Sequence, residues 1–142
     1  MKERTIEVIP PDVMTPFGKI QDVLRDAGIQ PELTTGMTTS FQREWSDEDE
    51  AGSIGLQWSV ELKDGIGRIR FAFLMWSKAI FEAIFVQGKE WSLRFDQGGI
   101  DLPEDLTHLL PAIRSSVKSP SEKQAVDIIR HLAEYCAQRF FP

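Results

Sequence analysis

The residue types that most often carry chemistry are scarce in this chain of 142 residues. It has one cysteine, Cys136, and two histidines, His108 and His131. A single cysteine cannot form an internal disulfide, and the spacing of the cysteine and the histidines does not match a metal site. His131 and Cys136 fall on different sides of a predicted helix, so they do not converge as a base and a nucleophile. We expect no catalytic residue, no metal and no cofactor.

Long hydrophobic runs are missing as well. The most apolar stretch, residues 68–86, is interrupted by charged side chains. Its longest uncharged run is far shorter than the about 20 residues that a membrane-spanning helix needs. The N-terminus lacks the apolar run of a secretory signal. These features predict a soluble, cytoplasmic protein with no membrane partner, and the single cysteine fits a reducing compartment.

Negative charge is present in excess, and it is concentrated near the N-terminus. Residues 1–50 hold eleven acidic and five basic residues, which accounts for the whole formal net charge of −6. Such a field repels nucleic acid and attracts basic partners. Residues 47–50 are four consecutive acids, which we predict to form an exposed loop. The run does not match a calcium-binding loop, so it is interpreted either as a solvated loop or as a partner-binding patch.

The best-defined element is a hairpin around the Asp-Gly dipeptide at residues 64–65, which favours a two-residue type I′ turn. The register that this turn imposes pairs Trp58 with Phe71 and puts the hydrophobic residues of both strands on one face. On the opposite face it pairs Glu61 with Arg68, which carry opposite charges. We therefore predict a core-forming hairpin with a strongly held register.

The segment that follows, residues 77–87, fits either a strand or a helix. Its β-branched and aromatic content favours the strand, although a short apolar run cannot be assigned by periodicity alone. A strand here would form a second hairpin with the segment around Trp91. A two-residue loop would pair Val86 with Trp91, whereas a three-residue loop would pair Phe85 with Trp91.

Three helices are predicted at the two ends of the chain. The first has Thr15 as its N-cap, Pro16 at its first position and Gly28 after its end. The second covers residues 101–117 with a break or kink inside it. The last begins after Ser119 in an S-x-x-E capping motif and continues close to the C-terminus.

The elements together predict an α+β fold. Short strands are also expected at residues 4–10 and 41–45. The sequence therefore predicts an antiparallel meander of about four or five strands, with an N-terminal helix and two C-terminal helices packed on it. Residues 1–142 are expected to form a single domain.

Exposed aromatic and charged residues supply the candidate binding site. Trp and Arg are enriched among the residues that anchor protein interfaces, and acidic residues steer a protein toward basic surfaces. The predicted partner-binding residues are Trp45, Asp47, Glu48, Asp49, Glu50, Arg68, Arg70 and Trp76. Trp45 is next to the acid run, whereas Trp76 and the two arginines fall on the sheet face opposite the predicted core.

These features favour a small acidic protein-binding module of inhibitor, immunity or chaperone type, which acts by occupying a basic protein partner. A homodimer is also compatible with them. The alternative is a small enzyme or ligand-binding domain with a pocket between sheet and helices. A second alternative is an acidic nucleic-acid mimic or a subunit of a larger assembly. Ordinary nucleic-acid binding is disfavoured by the charge.

Overall fold

A computed structural model describes residues 9–35, 38–46, 51–76, 78–96, 99 and 121–140. Two helices enclose a run of six strands in the described part of the chain. In chain order the elements are α1 (Pro11–Asp26), β1 (Leu33–Thr35), β2 (Thr38–Ser46), β3 (Ala51–Lys63), β4 (Ile66–Met75), β5 (Lys78–Val86), β6 (Ser92–Phe95) and α2 (Glu122–Phe140).

The six strands form one sheet in which their spatial order is their order in the sequence. Each strand is antiparallel to its neighbours. The α+β prediction is therefore confirmed, with six strands where four or five were expected. The predicted helix over residues 101–117 and most of the predicted strand over residues 4–10 lie outside the described residues.

The β3–β4 hairpin has the predicted register. Trp58 pairs with Phe71, and both side chains are buried. Asp64 and Gly65 have φ angles of 53° and 77°. A type I′ turn requires positive φ at both central residues, which explains why this dipeptide closes the hairpin. Glu61 pairs with Arg68 as predicted, but their side chains form no ion pair within the described part of the chain.

Residues 78–86 form a strand, so the preference for strand over helix is confirmed. The β5–β6 pairing sets Phe81 opposite Phe95, which is the register of the three-residue loop. The β4–β5 register shifts by one residue next to Phe73, so that Ile80 is an extra residue in β5. Such a bulge re-aims side chains. As a result the successive residues Ile80 and Phe81 are both buried in the core.

Helix α1 begins five residues earlier than predicted. Pro10 is the N-cap and Pro11 is the first helical residue, so the assignment of Thr15 as N-cap is wrong. Two prolines compete for the first helical position, and the more N-terminal one occupies it, leaving Pro16 inside the helix. The predicted end is correct. Gly28 has a φ of 92°, and its N–H donates to the Arg25 carbonyl in a Schellman motif.

Helix α2 is capped by a serine that follows the predicted one. The backbone N–H of Gln124 donates to the Ser121 hydroxyl at 3.2 Å, and Ala125 N–H donates to the Ser121 carbonyl. Ser121 is therefore the N-cap of α2, and its hydroxyl also donates to Gln124 Oε1 at 3.2 Å, so the capping motif assigned to Ser119 places the start of the helix two residues too early. Ser119 itself lies outside the described residues.

Both helices pack on one face of the sheet and close the core. The apolar side chains of α1 and α2 join those of β2–β6 in a single buried cluster. Gly67 in β4 lies directly against Val13 in α1, since a Cβ added at Gly67 would lie 2.5 Å from a γ carbon of Val13. Beside it, Gln87 accepts a hydrogen bond from Gly67 N–H through Oε1 at 3.0 Å. The same side chain donates from Nε2 to the Asp12 carboxylate of α1.

Candidate functional site

Trp76 lies beside the paired ends of β2 and β3 at one end of the sheet, which we call the Trp76 end. It is defined by the Ser46–Ala51 pair that closes the β2–β3 hairpin and by Trp76, which directly follows β4. The N–H of Trp76 donates to the Ser53 carbonyl at 2.9 Å. Ser53 is two residues after Ala51 in β3. Trp76 is therefore attached to the same strand that the acid run leads into.

Trp76 combines exposure with an unusual backbone. Its side chain is 54% exposed, more than that of any other large hydrophobic residue in the described part of the chain. Its φ is 55°. For a bulky residue the left-handed region is a genuine outlier, and such strain concentrates at functional positions. The sequence indicated the exposed side chain, but no sequence signal marked the strained backbone.

The other residues assigned to this end are only partly covered by the structure. The backbone of Trp45 belongs to β2, where it pairs with Gly52. The four acids, residues 47–50, lie outside the described residues. Their attachment is nevertheless fixed by the chain, because they join Ser46 to Ala51. The role of Trp45 and of the acids in partner binding stays a prediction.

Arg68 and Arg70 are far from Trp76 along β4. Arg70 is six residues and Arg68 eight residues before Trp76. At about 3.3 Å per residue these separations correspond to about 20 and 26 Å. Arg70 is also engaged by its neighbours. Its Nε donates to Glu82 at 2.8 Å and its Nη1 to Gln57 at 3.5 Å. The structure therefore does not gather the two arginines and Trp76 into one compact patch.

Arg70 belongs to a polar network on the sheet face opposite the helices. Glu82 joins Arg70 to Arg94, whose Nη2 lies 3.8 Å from Glu82 Oε1. Gln57 and Glu82 are both paired with Ala72, so the network runs across β3, β4, β5 and β6. Sequence reasoning missed this network. The pairing of Glu82 with Arg94 follows from the three-residue loop that had been considered, and could have been found that way.

Cys136 and His131 lie on different sides of α2, as the sequence predicted. Cys136 is fully buried in the core, and desolvation by burial raises the pKa of its thiol to about 12. A thiol with such a pKa is a poor nucleophile at neutral pH. His131 is exposed, and its Nδ1 lies 2.7 Å from the Asp127 carbonyl oxygen one helical turn earlier. His108 lies outside the described residues.

The described ranges also bear on metal binding, membrane insertion and ligand binding. Those ranges contain no fully buried polar or charged side chain and no cluster of three residues able to hold a metal. No helix within them is long and apolar enough to cross a membrane. A groove of about 380 Å³ lies between α1 and α2. Arg94, Glu82 and Tyr135, whose presence in a pocket would favour the enzyme or ligand-binding alternative, are not among its lining residues.

Comparison with known proteins gives no relative: no family model, curated protein or solved structure matches this chain.

Proposed function

We propose that this protein is a binding module of inhibitor, immunity or chaperone type that occupies a protein partner with a basic surface. Trp76 is the anchor of the contact, and the acid run at residues 47–50 steers the partner toward it. The observation that carries the proposal is the state of Trp76, a half-exposed tryptophan held in a left-handed backbone conformation at the end of the sheet.

The energetics of Trp76 support an anchoring role. A tryptophan buries up to about 250 Å² of surface, so an exposed half leaves about 130 Å² to be covered by a partner. At about 25 cal/mol per Å² this area is worth about 3 kcal/mol. Truncation to alanine would then weaken binding by about 100-fold, which is the size expected of a hot spot.

The placement of the acid run supports electrostatic steering. The chain holds the four acids between the paired residues Ser46 and Ala51, and the neighbouring Ser53 accepts the Trp76 N–H. A basic surface drawn to the acids would therefore arrive near the indole ring. Charges of this kind act mainly on the association rate and lose their effect at high salt.

Affinity capture followed by mass spectrometry identifies the partner and tests the proposal. The wild-type protein, Trp76→Ala and the loop variant E48Q/D49N/E50Q are used as baits on extracts of the source organism. The matched control is E61Q/D64N/E90Q, which removes the same number and kind of charges at described, exposed positions away from the Trp76 end. We expect the control to retain a basic partner that Trp76→Ala loses.

Association kinetics with that partner then separate the two roles. The loop variant should associate more slowly and with a weaker salt dependence, whereas Trp76→Ala should mainly dissociate faster. An association rate that is the same for the loop variant, the control and the wild type would remove the steering role. Equal affinities of Trp76→Ala and the wild type would remove the anchor, and the proposal with it.

A further inference from the structure

The groove between the two helices has a composition that fits a particular ligand. Its described lining combines three small apolar side chains with an acidic rim. The lining residues are Val23, Asp26 and Ala27 of the α1 end, with Arg130, Glu134, Ala137 and Gln138 of α2. The groove has a volume of about 380 Å³. A butyl chain with an ammonium group occupies the space of roughly four waters of about 30 Å³ each, so the groove has room for it.

The negative charge of the rim is only partly compensated. Arg130 is shared between two acids, with Nη2 3.1 Å from Asp127 and Nε 4.0 Å from Glu134. Asp26 is exposed and makes no hydrogen bond or ion pair with the residues that the structure describes. Glu134 therefore shares the Arg130 guanidinium with Asp127, whereas Asp26, the more open of the two lining carboxylates, has no such partner among the described residues.

The helix ends add to this negative potential. Lys19 in α1 pairs with Glu122 at the start of α2, at 2.9 Å, whereas Ala27 after α1 shares the groove with Gln138 near the end of α2. The two helices therefore run in the same direction, and their C-terminal turns lie together at the groove. A helix C-terminus carries a partial negative charge that favours a cation.

We propose that this groove binds a lysine side chain of a protein partner. The ammonium lies between the carboxylates of Asp26 and Glu134, and the aliphatic stem covers Val23, Ala27 and Ala137. Lysine suits the site because its charge is compact and is carried on a flexible apolar chain. The inference rests on the proposed function, since it supplies a second contact for a basic partner, through residues that do not belong to the Trp76 end.

The test needs no natural partner. Nα-acetyl-lysine methylamide is titrated into the isotope-labelled protein and followed by amide chemical shifts, with Nα-acetyl-norleucine methylamide as the matched ligand that has the same stem without the ammonium. We expect saturable shifts at Ala27 and Ala137 with the lysine compound, with a dissociation constant on the order of millimolar. The norleucine compound should produce much smaller shifts at these residues.

Two variants connect the shifts to the rim. D26N/E134Q should weaken binding of the lysine compound at least 10-fold, whereas the control E61Q/D64N, with one Asp and one Glu neutralised elsewhere, should leave it unchanged. Unchanged dispersion of the amide signals verifies that each variant is folded. Absence of saturable shifts at the groove, equal shifts with both ligands, or equal binding by D26N/E134Q would each overturn the inference. None of these results would affect the Trp76 proposal, because neither ligand reports on that site.

Discussion

The contact between Gly67 and Val13 gives the sharpest test of how helix α1 lies on the sheet. A Cβ added at Gly67 would lie 2.5 Å from one γ carbon of Val13, 3.1 Å from the other and 3.2 Å from its Cβ. Val13 is fully buried, and Gly67 is not among the glycines with positive φ. The cost of Gly67→Ala is therefore steric, and α1 must move away from β4.

We expect Gly67→Ala to lower the free energy of unfolding by about 1–3 kcal/mol, the usual cost of overpacking a core. Val13→Ala, which removes two buried methyl groups, should cost about 2 kcal/mol by itself. In the double variant the two closest contacts disappear. The combined loss should therefore be smaller than the sum of the single losses by at least 1 kcal/mol.

Urea unfolding, followed by tryptophan fluorescence, measures the free energy of unfolding of the wild type, the two single variants and the double variant. Gly18→Ala is the control, because a Cβ there meets nothing within 4 Å. As a glycine inside helix α1, it should gain about 0.5–1 kcal/mol on replacement. Additive losses for Gly67→Ala and Val13→Ala would refute the proposed contact, since residues that do not touch do not couple.

Three further predictions concern single positions. Trp76→Gly should be about 1 kcal/mol more stable than Trp76→Ala in urea unfolding, since only the alanine retains a Cβ at positive φ; equal stabilities would contradict the strain. Ser121→Ala should lower the unfolding free energy by about 1 kcal/mol and reduce hydrogen-exchange protection in the first turn of α2. Burial raises the pKa of the Cys136 thiol to about 12, whereas the thiol of the unfolded chain ionises from about pH 8.5. The contribution of Cys136 to stability is therefore complete below about pH 8.5 and is lost as the pH rises toward 12. Cys136→Ala should accordingly show a shallower decline in unfolding free energy above pH 9, and parallel declines would count against it.

The parts of the fold that the sequence predicted are those specified by local signals. The dipeptide at residues 64–65 accepts positive φ at two successive positions, and this fixes the register of the whole β3–β4 hairpin. Gly28 ends α1 for the same kind of local reason. Thr15 precedes a proline and so has the sequence of a cap, but Pro11 offers the same start five residues earlier.

The remaining features depend on contacts between distant segments. Whether residues 78–86 form a strand is decided by pairing with β4 and β6, and the bulge at Ile80 is decided by which side chains the core can accept. At the candidate sites, the exposure of Trp76 could be predicted from its place on the sheet face opposite the predicted core. The groove could not, because it forms where two helices separated by most of the chain come together.

Gln87 has a consequence for how the molecule opens. The Gln87 side chain accepts a hydrogen bond from the Gly67 N–H and donates hydrogen bonds to the Asp12 carboxylate. The main-chain N–H of Gln87 donates to the Gly67 carbonyl. The first turn of a helix and the ends of two strands thus share a single amide. Fraying of any one of these segments breaks the Gln87 hydrogen bonds that hold the other two. We therefore expect the three segments to open together as one cooperative unit.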